Sequence, residues 1–375
     1  MRIASACALV ILTSTLPSLA ANRVVAWGDL NYDLSFPSVK AGSLNSPGIA
    51  AGDFHSLALN GDGTVCAWGS DTYNQTNVPA ALFGATVASV AAGNVHNVVL
   101  LGNGTVAAWG PAPGQNGDYG QCSVPAGLGG VVAVAAGAVH SLALTSKGTV
   151  YAWGANFYGQ CNVPVGLTNV RAIAGGMYHS LALKQDGTVV AWGDNTHGQT
   201  QVPAGLCGVA AIAAGGYHNL VLLTNGTVVS WGGYGLAQIP VPDGLSNIIA
   251  IATGDYHCLA LKSDGSLLTW GFNSYGQCNI PASLTNIVAI AARGSHSMVL
   301  LADAIPQPAP TLSIHAVAGS VVVSWPLTAT GFTLQETFDL QAGSWITLTK
   351  APTVLNNQYQ VTLPAADHAF FRLTQ

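Results

Sequence analysis

From residue 23 to residue 301 the chain alternates apolar runs of five or six residues with short breaks made of Gly, Asn, Asp and Pro. His179-Ser-Leu-Ala-Leu183 is followed by Gln185-Asp-Gly187 and then by Thr188-Val-Val-Ala-Trp192. Runs this short, rich in Val and Leu and bounded by turn residues, predict β-strands rather than helices. Asp-Gly and Asn-Gly pairs between them predict tight hairpins, because glycine takes positive φ without a steric penalty. Such pairs recur at Asp62-Gly63, Asn103-Gly104, Asn225-Gly226 and Asp264-Gly265, with Lys147-Gly148 in the same place. Leu181, Ala182 and Leu183 are apolar in succession, as are Val189 to Trp192, so neither face of the sheet is wet. Strands of that kind must be covered on both sides.

The pattern repeats. Trp-Gly pairs begin at Trp27, Trp68, Trp109, Trp153, Trp192, Trp231 and Trp270, spaced by 41, 41, 44, 39, 39 and 39 residues. Histidines stand at His55, His96, His140, His179, His218, His257 and His296, the first six thirteen residues before a Trp. A period near forty in strand-like sequence predicts propeller blades. Each unit is expected to hold four strands, exemplified by Tyr158–Val163, Val170–Ala174, His179–Leu183 and Thr188–Trp192. The first Trp strand, Arg23–Trp27, has no His strand before it, and the last His strand, His296–Leu301, has no Trp strand after it. Pairing the two orphans closes seven blades into a ring without a free sheet edge. The predicted fold is therefore all-β: a seven-bladed β-propeller closed by its N-terminal strand and followed by a small β-sandwich.

Composition supports this reading. Charged residues make up 7% of the chain, against roughly 25% in ordinary soluble domains. Glu336 is the sole glutamate, and a net charge of −5 lacks the basic signature of nucleic-acid binders. Residues 1–20 read as a secretory signal peptide, with Arg2 before an apolar stretch and Ser18-Leu19-Ala20 before the cleavage point. The rest divides into a propeller over 21–304, a Pro-rich linker over 305–311 and a sandwich module over 312–375. The protein is expected to be exported to a periplasmic or extracellular destination, monomeric, and without membrane insertion.

At Tyr158-Gly-Gln-Cys-Asn-Val-Pro164 and Gly176–Gly193 the chain resembles the regulator of chromosome condensation repeat, in its secreted bacterial form. The resemblance spans about residues 23–302 and implies a seven-bladed propeller that binds other proteins. Its founder is a nucleotide-exchange factor for a nuclear GTPase, and a bacterial relative inhibits β-lactamase, so the fold does not settle the function. Residues 320–336 weakly resemble the start of a fibronectin type III domain, with Trp325 as a core aromatic.

Candidate chemistry is sparse. The seven repeated histidines are expected to bond backbone within their own blades, each beside a Gly three residues upstream in six copies; metal ligands converge rather than form a circle. Six cysteines lie beyond the signal: Cys66, Cys122, Cys161, Cys207, Cys258 and Cys278. Cys122, Cys161 and Cys278 alternate with Thr at one repeat position, so free thiols are expected, with a cross-blade disulfide as the lesser alternative. No phosphate loop, nucleophile elbow or C-x-x-C pair occurs, and no cofactor is implied.

Strand direction places the loop before each His and the loop after each Trp-Gly on one rim, the loop face, rich in Asp, Tyr and Phe. The opposite rim carries Lys147, Arg171, Lys184 and Lys262. The least repetitive loop-face residues form the candidate binding set: Asp53, Phe54, Met177, Tyr178, Tyr217, Asp255 and Tyr256, with Arg293 in the place of a usual Gly. Tyrosines at the Tyr-Gly-Gln position, such as Tyr158 and Tyr275, are set aside as packing between blades. Three functions remain: a non-catalytic exported protein holding a protein or glycan, an extracellular lyase or hydrolase using loop-face Asp residues, and nucleotide exchange as in the founder. The first is expected.

Overall fold

The structure is a computed structural model. It describes residues 23–29, 48–233, 239–282, 284–302, 312–317, 320–326, 333–337, 345–355, 358–364 and 370–374. The expected signal peptide and the linker lie outside these residues, as do Tyr32, Lys40 and Tyr234.

The chain divides into two compact units, one of them Ala20–Asp303. Among the described residues, that unit holds seven antiparallel three-stranded sheets. Blade four shows the plan: an inner strand Val170–Gly175, a middle strand His179–Lys184 and an outer strand Val189–Gly193. Blades one, two and three have middle strands His55–Leu59, Asn97–Leu101 and His140–Thr145. Those of blades five, six and seven are His218–Leu223, His257–Lys262 and His296–Leu301. In blade seven the outer strand is the first of the chain: Arg23–Gly28 pairs antiparallel with His296–Leu301, Arg23 opposite Leu301 and Gly28 opposite His296. The two orphans of the sequence do meet.

Neighbouring blades share side chains rather than backbone ladders. Leu181, Leu183 and Val189 of blade four form one buried cluster with Val209, Val221 and Trp231 of blade five. The same packing joins the last blade to the first, where Val24, Met298 and Leu300 are buried with Ile49, Ala58 and Trp68. Apolar residues on both faces of each sheet thus find partners on both sides, at roughly 25 cal/mol per Å² of apolar area buried.

Two expectations require correction. The fourth strand is a compact turn: Gly159 has φ +82°, Gln160 Oε1 accepts the Tyr158 amide at 2.9 Å, and Asn156 Oδ1 accepts the Cys161 amide at 2.9 Å. Side-chain amides that bond their own loop remove the backbone groups a ladder needs.

The histidines, secondly, reach across blades. His55 Nε2 lies 2.8 Å from Asn97 Oδ1, His96 Nε2 3.1 Å from Ser141 Oγ, and His140 Nε2 3.0 Å from Ser180 Oγ. The series continues through His179–Asn219, His218–Cys258 and His257–Ser297, and His296–Ser56 completes the circuit at 3.3 Å. Asn97, Ser141, Ser180, Asn219 and Ser297 each donate onward to a Gln carbonyl, which five indole N–H groups also reach. Because those hydroxyls and amides spend their own hydrogens on the carbonyl, the imidazole must donate from Nε2. Glycine precedes each of six histidines by three residues because a Cβ at Gly137 or Gly176 would stand 2.0 or 2.1 Å from the imidazole.

Among its described residues the second unit contains two sheets, one of order Ser313–Val317, Ser320–Pro326, Gln358–Pro364, Thr353–Leu355 and one of order Ile346–Thr347, Thr333–Thr337, Phe370–Thr374. Val323, Trp325, Leu334 and Val361 form its buried core, with Tyr359 5.8 Å from Trp325.

Candidate functional site

The turns between inner and middle strands emerge on one rim and are stitched to the loops that follow the outer strands. Phe54, Val139, Tyr178 and Tyr256 each offer a carbonyl to the amide of Ser70, Ala155, Asp194 and Phe272, at 2.8 to 2.9 Å. All eight sequence-predicted residues lie in or beside these turns, yet the structure sorts them into a buried group and a surface group.

Asp53, Asp255 and Arg293 are buried near the axis. Arg293 Nε donates to Asp53 Oδ1 at 3.3 Å, and the two side chains are only 7% and 10% exposed. Its Nη1 reaches the carbonyls of Ala136 and Gly175 at 3.5 and 3.4 Å, and Nη2 reaches Asn94 Oδ1 at 3.2 Å. One guanidinium therefore bonds blades one, two, three and four from blade seven, and attracts Asp255 of blade six. It can stand there because the turn before His296 differs from the other six. The inner strand runs on through Arg293, which lies opposite His296, and Gly294 turns at φ +52°. Asn94 is the member of this cluster that sequence reasoning missed; a single Asn in a repeated turn gives no signal.

Two carboxylates share that guanidinium. Burial pushes Asp53 up to about 7, with the neighbouring Asp255 charge adding and Arg293 opposing. Asp255 is also raised by burial, against the pull of Arg293 and the Gly294 amide. Below the cluster runs a cavity of about 240 Å³ lined by inner strands, with Ala50, Ala91, Ala135, Ala174, Ala213, Ala252 and Ala291 at one repeat position and Arg293 at its wall. Its lining side chains include no acid, Thr253 brings a hydroxyl to it, and Asp53 and Asp255 do not line it.

The surface group is aromatic. Tyr217 lies 4.9 Å from His197 and 6.3 Å from Tyr256, and Phe272 lies 6.2 Å from both Tyr256 and Tyr275. Tyr178 lies 5.2 Å from Tyr158 with the rings tilted by 46°, and Tyr119 meets Phe157 edge-on at 5.4 Å. Phe157, Tyr158, Tyr275 and Tyr119 are 66%, 51%, 52% and 44% exposed, so they extend the surface instead of packing between blades. Sequence reasoning set Tyr158 and Tyr275 aside because recurrence at one repeat position reads as scaffold. Phe54 is 39% exposed on the same rim. Met177 is half-buried, and its amide bonds the Gly215 carbonyl at 3.2 Å.

The phenols of Tyr178, Tyr217 and Tyr256 are raised by partial burial and by nearby carboxylates. The six described cysteines are free, and burial pushes Cys122 and Cys161 up to about 12 and 11, which leaves them protonated and unreactive. Among the described residues no group of His, Cys, Asp or Glu could hold a metal ion, and no helix is long and apolar enough to cross a membrane.

The family model described as the regulator of chromosome condensation (RCC1) repeat matches residues 48–75, 131–160, 170–199, 209–233 and 248–277. Prp20p of Saccharomyces cerevisiae, described with its binding properties to Gsp1p and histones, superposes with a TM-score of 0.63 at 20% identity over 76% of this chain and 93% of its own. Human WBSCR16 gives 0.58 at 21% identity over 75% and 99%. The ectodomain of the Physcomitrella patens receptor kinase CR4 gives 0.54 at 23% identity over 65% of each chain. At these identities the likeness is one of fold. No curated protein matches the chain in sequence.

Proposed function

Starting from an all-β propeller that carries regulator of chromosome condensation repeats in five segments, we propose a non-catalytic, exported binding protein whose loop face holds a protein or glycan. The observation that carries this reading is the run of exposed and half-buried aromatics from Tyr119 to Tyr275 on one rim. Large rigid side chains bury much area at little entropic cost and dominate binding surfaces. The sequence features of export, Arg2 and the apolar stretch to Leu16, place the ligand outside the cytoplasm in this proposal. Prp20p is described with its binding to proteins, which is consistent with the same use of the fold.

An enzymatic reading would rest on Asp53 and Asp255, whose raised proton affinity suits a general acid. Their burial and the commitment of Asp53 to Arg293 argue against contact with a substrate. Replacing Tyr178, Tyr217 and Tyr256 together by Ala should abolish capture of the ligand from the surrounding medium while leaving Tm within a few degrees of wild type. Turnover of a glycan or peptide that disappears in Asp53→Asn and Asp255→Asn would overturn the binding reading.

A further inference from the structure

We propose that the loop-face ligand is a polypeptide segment bearing lysine or arginine side chains, laid across the aromatic crescent; this rests on the binding reading above. Two sets of observations select that chemistry over a neutral glycan or an acidic partner.

The first is charge. Asp71 and Asp118 stand beside Tyr73 and Tyr119 and are held in place by local bonds. Asp71 accepts the Thr76 amide at 3.0 Å and the Asn77 side chain at 2.8 Å. Asp118 accepts the amides of Gly114 and Gly120 at 2.9 Å each, which holds its carboxyl below the usual range. Beneath the tyrosines, Asp53 bonds and Asp255 attracts the Arg293 guanidinium, so its positive charge is offset there. The described lysines of the propeller, Lys147, Lys184 and Lys262, sit at or beside the hairpin turns of the opposite rim, where Lys184 already pairs with Asp186 at 3.1 Å. A cationic side chain approaching the loop face meets acids and aromatic faces, a combination that attracts it through both charge and the ring quadrupole.

The second is the fate of the side-chain amides. A sugar is read by hydrogen bonds from polar side chains around a stacking ring. Here the side-chain oxygens of these amides are committed to their own loops. Asn156 bonds Asn162 and the Cys161 amide, and Asn273 bonds Asn279 and the Cys278 amide. Asn195 Oδ1 accepts the Thr200 amide, and Gln160 and Gln277 accept the amides of Tyr158 and Tyr275. Among the described residues, the broadest features of this face are therefore aromatic rings and negative charge.

The test uses the exported protein and three probes: a twelve-residue peptide alternating lysine and leucine, its glutamate counterpart, and chitohexaose. Binding is read by fluorescence anisotropy for the peptides and by calorimetry for the sugar. Wild type should bind the lysine peptide, and raising salt from about 50 to about 300 mM should weaken it about tenfold. Replacing Tyr178, Tyr217 and Tyr256 by Ala should weaken it about tenfold or more at unchanged Tm. Asp71→Asn with Asp118→Asn should weaken it less and flatten the salt dependence. If the glutamate peptide or chitohexaose binds through the tyrosines and the lysine peptide does not, the cationic partner is wrong while the binding face survives. If the triple variant keeps the lysine peptide, both fail. If wild type binds none of the three probes, the cationic-segment assignment is overturned.

Discussion

Arg293 occupies the place that glycine holds in six other turns, and it gathers hydrogen bonds from four other blades. Removing one partner of a buried charge cluster leaves the rest uncompensated, which costs about 3–5 kcal/mol. Arg293→Met should lose about that much stability at pH 8 in urea titration. Less should be lost at pH 5, where Asp53 and Asp255 can bind protons; an equal loss at both pH values would show that the carboxylates are not what the guanidinium neutralises. The histidines make the opposite contribution. Burial lowers all seven, to about 4 at His55 and His179 and about 3 at the other five. The unfolded chain binds protons near pH 6.5 and the folded chain does not, so stability is full above 6.5 and falls as pH drops toward 4. Each group contributes up to about 1.4 kcal/mol per pH unit in that window. Asp53 acts with the other sign, since its raised proton affinity favours the folded state below pH 4 and the advantage fades toward 7. Asp255, raised by burial as well, acts in the same sense as Asp53, but seven imidazoles outweigh two carboxyls, so Tm should fall steeply between pH 6.5 and 4. A Tm that stays level across that range would mean the imidazoles are already charged in the folded protein.

At the scale of the element, three of the four expected strands per unit were legible from alternating apolar runs and Asp-Gly turns. The outer segment was not, because Tyr-Gly-Gln-Cys-Asn-Val resembles a strand in composition while its Asn, Gly and Gln side chains fold it into a turn. The direction of the imidazole bonds was equally hidden. Nothing in Gly-x-x-His says that the ring points at the next blade, although the Ser, Asn or, at position 258, Cys that follows each His is the partner of the imidazole one blade earlier. The Gly before His follows from this contact. Gly176→Ala should cost several kcal/mol, since the new Cβ meets three atoms of the buried His179 ring, the nearest at 2.1 Å. Gly166→Ala, with no atom within 4 Å and φ +80°, should cost only about 1 kcal/mol of backbone strain. Equal losses in chemical denaturation would contradict the account of the repeated glycine.

The whole molecule follows from a shortage of charge. Sheets apolar on both faces find cover by standing in a circle, and the circle is completed when the start of the propeller supplies the last outer strand. That arrangement puts every inner-to-middle turn on one rim, so aromatics far apart in sequence, from Tyr119 to Tyr275, become one surface. The sequence located this rim and named Tyr178, Tyr217 and Tyr256 on it. It did not separate them from Asp53, Asp255 and Arg293, because depth beneath a turn depends on how seven blades converge at the axis. Disulfide trapping tests the closure most directly. Paired residues of antiparallel strands bring Cα atoms to about 4.5–5.5 Å, within reach of a disulfide. In a Cys207→Ser background, cysteines at Val25 and Val299, which are register partners, should cross-link under mild oxidation and raise Tm. Cysteines at Val25 and Leu301, two residues out of register, should cross-link far less. Equal trapping of the two pairs, or none at Val25 and Val299, would contradict a ring sealed by its first strand.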